Sequence, residues 1–240
     1  MIVALLLGAA VGCSSKEGAP VTLMKATPTR PALDATVPDR IETATFALGC
    51  FWCPDAKFGV IPGVVHTRVG YTGGTLPNPT YRILGDHTEA VQVDFDPSKL
   101  TFEQLIDRVW KSHNPCGVRG KRQYMSAIFY ATEEQRKIVE AGRDRVEAEQ
   151  GKPVKTAILP LGTFHVAEDY HQKYELRCQG ELIKEFTALY PDARDFMNST
   201  AAARINGYLA GQGSPEQLNA EIDLLGLTEE GKQRLRIYVR

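Results

Sequence analysis

The chain has 240 residues, 28 Lys and Arg against 29 Asp and Glu, and an apolar content of 43%. At roughly 100–200 residues per domain there is room for one sizeable domain with appendages, and the composition excludes overall disorder. A net charge of −1 removes the long-range attraction that nucleic acid or an anionic membrane surface requires, and five cysteines, an odd number too sparse for a disulfide scaffold, leave at least one thiol unpaired.

Residues Ile2 to Gly12 form an apolar run about half the ~20 residues needed to span a bilayer. With Ala10-Val11-Gly12 before Cys13, residues 1–13 read as a bacterial lipoprotein signal, and Cys13 as the lipidated residue. No Lys or Arg precedes the run, so a plain tail or a misassigned start is the alternative. Pro20, Pro28, Pro31 and Pro38 stiffen residues 14–40, which show little apolar periodicity and read as a tether.

Thr43 to Leu48 is a short apolar strand ended by Gly49, and Phe51 to Phe58 has helical spacing with Pro54 in its first turn. Val64 to Tyr71 is a β-branched strand, and a Gly/Pro/Asn loop runs from Thr72 to Thr80. Ala90 to Phe95 alternates as a half-buried strand does. Thr101 and Gln104 form a capping box for a helix reaching His113. Ser126 to Tyr130 is a strand, Thr132 caps a helix to about Gln150, and Thr156 to Leu159 is a last strand. Interleaved strands and helices predict a two-layer domain over 41–177. Beyond it, 178–240 reads as a helical extension, with helices over Glu181 to Tyr190, Asp192 to Leu209 and Pro215 to Leu225.

Cys50 stands at the strand–helix junction. Unpaired N–H groups and the positive dipole end of the helix favour its thiolate, which predicts a pKa below about 8.5. Phe51 and Trp52 beside it suit a water-poor pocket for an apolar group. Cys53 completes a Cys-x-x-Cys pair, fit for thiol–disulfide exchange or half a zinc site. Cys116 and Cys178 stand alone, so no second pair completes a metal centre.

Gly49-Cys50-Phe51-Trp52 resembles the motif that carries the nucleophile of the A-type peptide methionine sulfoxide reductases. Gly70-Tyr71-Thr72-Gly73-Gly74, Asn78-Pro79-Thr80-Tyr81, His87-Thr88-Glu89-Ala90-Val91, Gln123-Tyr124-x-Ser126 and Ala167-Glu168-Asp169-Tyr170-His171-Gln172 follow in the family's order. The resemblance implies an α+β fold, a mixed sheet with packed helices around a ferredoxin-like core. It also implies reduction of methionine S-sulfoxide, free or in proteins, without a bound cofactor or metal.

The implied chemistry has Cys50 attacking the sulfoxide sulfur and Glu89, its pKa raised by burial, protonating the oxygen. Tyr81 and Tyr124 hydrogen-bond that oxygen, and Phe51 and Trp52 bind the substrate. His87 supports the loop, while Glu168, Asp169 and His171 occupy a helix surface. Cys50 becomes a sulfenic acid, a second thiol condenses with it, and a thioredoxin-like dithiol reduces the disulfide. Cys178, Cys53 and Cys116 are the candidate resolving thiols, and direct reduction without one is the remaining alternative.

Two features depart from the family pattern. Arg119 stands where an Asp is usual, which predicts a bias toward ionised Glu89 unless another acid such as Asp86 or Asp55 compensates or the site is tuned differently in this subfamily. The glycine-rich tail bearing a recycling cysteine is replaced by the helical extension. The expectation is a monomeric enzyme of the bacterial envelope, lipid-anchored if the signal holds and cytoplasmic otherwise. Two other readings stay open: a thiol–disulfide oxidoreductase using Cys50 and Cys53, and a non-catalytic sulfoxide-binding envelope protein.

Overall fold

The computed structural model describes residues 30–239. Cys13 and the expected signal segment lie outside the described residues, as does the part of the expected tether before Arg30.

Two strand–helix–strand crossovers build the centre of the fold. Strand β1 (Glu42–Leu48), helix α1 (Trp52–Gly59) and strand β2 (Val64–Thr72) form the first; β3 (Thr88–Phe95), α2 (Phe102–Lys111) and β4 (Ser126–Tyr130) form the second. The sheet order is β5-β4-β1-β3-β2-β6, where β5 is Ala157–Pro160 and β6 is His165–Val166. Its four central strands are antiparallel neighbours in the 4-1-3-2 order of a ferredoxin-like core, and β5 joins β4 in parallel. The α+β expectation holds.

Strand parity decides which side chains meet the helices. Val91, Val93 and Phe95 of β3 pack with Phe46, with Phe58 of α1 and with Leu105, Ile106 and Val109 of α2. Glu89 has the same parity and therefore faces the helix layer too. Instead of half-buried, β3 is buried at every position, because it lies in mid-sheet with the opposite face also covered. Thr101 and Gln104 make the expected reciprocal cap of α2. Thr132 caps α3 (Glu133–Gln150), which ends at Gly151 in the left-handed region.

After the short α4 (Tyr174–Arg177) come α5 (Gly180–Leu189), α6 (Ala193–Met197), α7 (Thr200–Leu209), α8 (Pro215–Glu221) and α9 (Glu229–Arg236). The single helix expected over 192–209 is two, because Ser199 leaves helical geometry to accept the Ala202 N–H and cap α7. These helices enclose a second core that includes Leu182, Phe186, Phe196, Ile205, Tyr208 and Leu235, and Val60 after α1 joins it. Helix α7 lies hard against α1: a Cβ on Gly59 would meet Ala203 O at 2.8 Å, and one on Gly207 would meet Ala56 O at 2.6 Å. The last part of the expected tether is docked on this unit. Asp34, in a 3₁₀ turn, accepts bonds from Ser199 Oγ (2.7 Å), Ala201 N (3.0 Å) and the Tyr190 hydroxyl.

Candidate active site

Cys50 sits where β1 ends and α1 begins. Gly49 turns the chain there at φ +96°, a left-handed conformation that favours glycine, and the Arg119 guanidinium packs over it. Cys50 is half-buried, and all four cysteines of the described residues are free thiols.

Glu89 is 1% exposed, and both its oxygens are engaged from the Cys50 side of the fold. Oε2 accepts the Phe51 N–H at 3.0 Å, and Oε1 accepts Gln123 Nε2 at 2.8 Å. Burial pushes its carboxyl above the usual range, while the bonds from Gln123 and Phe51 restrain the shift. Gln123 is held by its own carbonyl, which accepts Thr88 Oγ1 at 2.9 Å.

The Cys50 thiol differs from the expectation. Its pKa is raised, above all by burial, with the Glu89 and Cys53 charges adding to it. The N–H groups of Trp52 and Cys53 lower it as the helix-terminus argument requires, but they do not outweigh desolvation in so apolar a corner.

Tyr81 and Tyr124 converge from separate segments and share a hydrogen bond. Burial raises the Tyr124 phenol, and the Glu89 and Cys50 charges act on it in the same direction, which puts the four groups in one electrostatic neighbourhood. Tyr81 is oriented by Glu168: Oε1 accepts the Tyr81 N–H at 3.0 Å and Oε2 the Tyr71 hydroxyl at 2.8 Å.

The apolar wall is wider than Phe51 and Trp52. Trp52 stacks on Tyr174 with centroids 3.6 Å apart and planes 7° from parallel. His171, 1% exposed, lies 5.0 Å from the Phe51 ring, 5.7 Å from Trp52 and 4.7 Å from Tyr81. Burial lowers its pKa, and its Nε2 stands 3.8 Å from Glu168 Oε2, beyond hydrogen-bond reach. The expectation that Glu168, Asp169 and His171 occupy a helix surface is therefore corrected. Asp169–His171 is a single 3₁₀ turn, and it carries His171 inward.

His87 supports the loop as expected, accepting the Gly74 N–H at 3.3 Å and contacting Leu76 O at 2.9 Å. Arg119 is exposed; its Nε donates to Ser126 Oγ at 3.3 Å, and its guanidinium packs over Gly49. The groups that set the Glu89 carboxyl are its burial, Gln123 and Phe51, so the expected bias from Arg119 is not realised. Neither acid named as its substitute reaches Glu89. Asp86 accepts bonds from Thr75 and Leu76, which hold it at about 2, and Asp55, on the buried face of α1, is paired with Lys173.

Among the candidate resolving thiols, Cys53 is exposed in the first turn of α1 and Cys178 is exposed at the end of α4. Cys116 donates to Lys152 O at 3.7 Å in a separate loop. Tyr174, the stacking partner of Trp52, hydrogen-bonds Cys178, and this bond together with the charges on Cys178, Glu175 and Cys50 raises its phenol.

Residues 42–202 match the family model for peptide methionine sulfoxide reductase. The chain belongs to that family. It is an oxidoreductase with methionine sulfoxide reductase activity. The peptide methionine sulfoxide reductase of Drosophila melanogaster is 40% identical over 200 residues, covering 82% of this chain and 80% of its own. Peptide methionine sulfoxide reductase A5 of Arabidopsis thaliana is 40% identical over 193 residues, with 78% and 75% covered. Methionine sulfoxide reductase A of Corynebacterium diphtheriae is similar in structure, with a TM-score of 0.51, 36% identity, and 62% of this chain and 81% of that chain covered. The fly match is longer than the 42–202 span, so likeness to this reductase reaches beyond the family model.

Sequence reasoning singled out Cys50, Glu89, Tyr81 and Tyr124, and the fold gathers them. It assigned no role to Gln123, and Tyr174 and Tyr71 went unnoticed as site residues. Gln123 could have been found from its place beside Tyr124, whereas Tyr174 needs the fold to bring α4 against α1.

Proposed function

We propose that this reductase acts on methionine S-sulfoxide, free and in proteins, through Cys50. The observation that carries the reading is the buried Glu89 carboxyl, bonded to the Phe51 N–H adjacent to Cys50 and raised by burial. Cys50 sulfur attacks the sulfoxide sulfur, which gains two electrons as its oxygen passes to Cys50. Glu89 protonates that oxygen, and Tyr81 and Tyr124 stabilise the charge developing there. Methionine departs and Cys50 is left as a sulfenic acid. Phe51, Trp52, His171 and Tyr174 supply a wall that suits the substrate's methyl group.

Cys178 is the proposed resolving thiol. It condenses with the Cys50 sulfenic acid, releasing water and forming a disulfide that a thioredoxin-like dithiol reduces. The Tyr174 hydroxyl bonded to Cys178, on a ring stacked against Trp52, favours it over Cys116, whose thiol is engaged with Lys152 O. Cys53 is the second candidate, because its exposed thiol is close enough to Cys50 to act on its pKa. We also propose lipidation at Cys13 and an envelope location, supported by the apolar run before it; radiolabelled palmitate incorporation lost in Cys13→Ala is the check.

The decisive experiment compares turnover of a methionine sulfoxide peptide with dithiothreitol and with thioredoxin. Cys50→Ser abolishes both. Cys178→Ser retains the first and loses the second. A Cys50→Ser variant with wild-type turnover contradicts the mechanism, and full thioredoxin turnover by Cys178→Ser removes the resolving role from Cys178; its loss in Cys53→Ser would then assign that role to Cys53.

A further inference from the structure

Where α1 meets β2 and α7 lies an ionic cluster that the proposed chemistry does not use. Asp55 of α1 and Lys173 are both 0% exposed. Asp55 Oδ1 accepts from Thr67 Oγ1 of β2 and, at 3.5 Å, from Lys173 Nζ, which also donates to Thr67 O at 2.6 Å. Asp55 Oδ2 accepts the Lys173 N–H at 3.2 Å and Asn206 Nδ2 at 3.2 Å. Lys173 holds φ +56°, a left-handed conformation costly for a side-chain-bearing residue, and its N–H bond to Asp55 helps retain it.

Asn206 belongs to α7 and is itself 0% exposed. While its Nδ2 holds Asp55, its Oδ1 accepts the Leu176 N–H at 3.2 Å. One amide thus ties α1 to α4. Those are the helices that present Trp52 and Tyr174, stacked at 3.6 Å. Asn206 lies outside the 42–202 span matched by the family model.

We propose that Asn206 is a positioning residue for substrate binding, an amide from the C-terminal helices that sets the spacing of Trp52 and Tyr174 by bridging Asp55 and the Leu176 N–H. The inference rests on the reading of Trp52 as a wall for the sulfoxide's methyl group. Losing the amide leaves a buried N–H and a carboxylate oxygen each short of a partner, and the two helices find a new spacing to relieve it. Small misplacements of a binding wall are costly because the pocket works by orientation. Cys50 and Glu89, held by Gly49, Phe51 and Gln123, are not touched.

The test uses the full chain, a methionine sulfoxide peptide and dithiothreitol, with Asn206→Leu, Asn206→Asp and Trp52→Ala beside wild type. Asn206→Leu should raise KM by about tenfold, the effect of roughly one lost hydrogen bond, with kcat and the iodoacetamide alkylation rate of Cys50 within about twofold. It should also change the near-ultraviolet circular dichroism of the stacked Trp52. Asn206→Asp places a second carboxyl against Asp55, so its KM relative to wild type should be near one at acid pH and rise as the pair loses its shared proton. If Asn206→Leu does not fold, this pH profile decides alone. Wild-type KM in folded Asn206→Leu, or a flat ratio in Asn206→Asp, overturns the inference. Raised KM in Trp52→Ala is expected; an unchanged KM there overturns the wall reading and this inference together.

Discussion

Glu89 shares the strand face of Val91, Val93 and Phe95, and that parity takes an acid out of water next to a thiol. Burial raises the pKa of both Glu89 and Cys50, and the Glu89 charge adds to the rise of the thiol. In the proposed mechanism the competent form carries one proton between them. The chemical step should therefore speed up with pH as the first proton leaves and slow as the second does. Glu89→Gln should slow methionine release in a single turnover about 100- to 10,000-fold and abolish the falling limb. Because the Glu89 charge helps raise the thiol, the same variant should lower the midpoint of Cys50 alkylation by iodoacetamide; an unmoved midpoint contradicts the coupling. Stability follows the opposite preference. A carboxyl whose folded pKa is raised contributes stability present at acid pH and lost as pH rises through the folded value. Glu89→Gln should accordingly raise Tm more at pH 8 than at pH 4, as thermal melts would show. At this scale the proposed nucleophile and its aromatic neighbours were legible as a cluster, since Cys50, Phe51 and Trp52 are adjacent. The surroundings of the acid were not, because its partners stand 38 and 34 residues away.

Among the elements, those governed by local rules match their expected spans closely. Thr101 and Gln104 cap α2 because both partners of the box lie within one turn. Departures arise where a distant partner decides: β3 loses its open face to a mid-sheet position, and α6 and α7 separate where Ser199 turns to cap the second helix and to bond Asp34. Strand β6, with two residues, is too short to show any period and exists by pairing with Gly70 and Tyr71. The α1–α7 contact is of the same kind. Asp55, considered from sequence only as a substitute acid opposite Arg119, is the common acceptor for β2, Lys173 and α7. Asp55→Ala leaves the Lys173 ammonium buried without its carboxylate, a loss of about 3–5 kcal/mol measurable by urea unfolding. Gly207→Ala forces α1 and α7 apart and should cost about 1–3 kcal/mol in the same assay.

For the whole molecule, the C-terminal helices form part of the body that supports the site. Their core takes in Val60, α7 seats against α1, and Asp34 fastens the N-terminal turn to the start of α7. Thermal unfolding of the full chain should therefore be one cooperative transition. A chain ending after Cys178 exposes the α1 face at Ala56, Gly59 and Val60 and should be insoluble or unfolded, as sedimentation and circular dichroism would show. The order of motifs made the core fold and the family legible; the union of the two cores was not, because it rests on small residues that carry no periodic signal. The central claim, that one turnover oxidises Cys50 and passes the bond to Cys178, is tested most directly by mass spectrometry. Reduced enzyme is mixed with excess methionine sulfoxide peptide in the absence of reductant. One equivalent of methionine peptide and a Cys50–Cys178 disulfide are predicted; methionine formed with Cys50 still a free thiol would contradict the account.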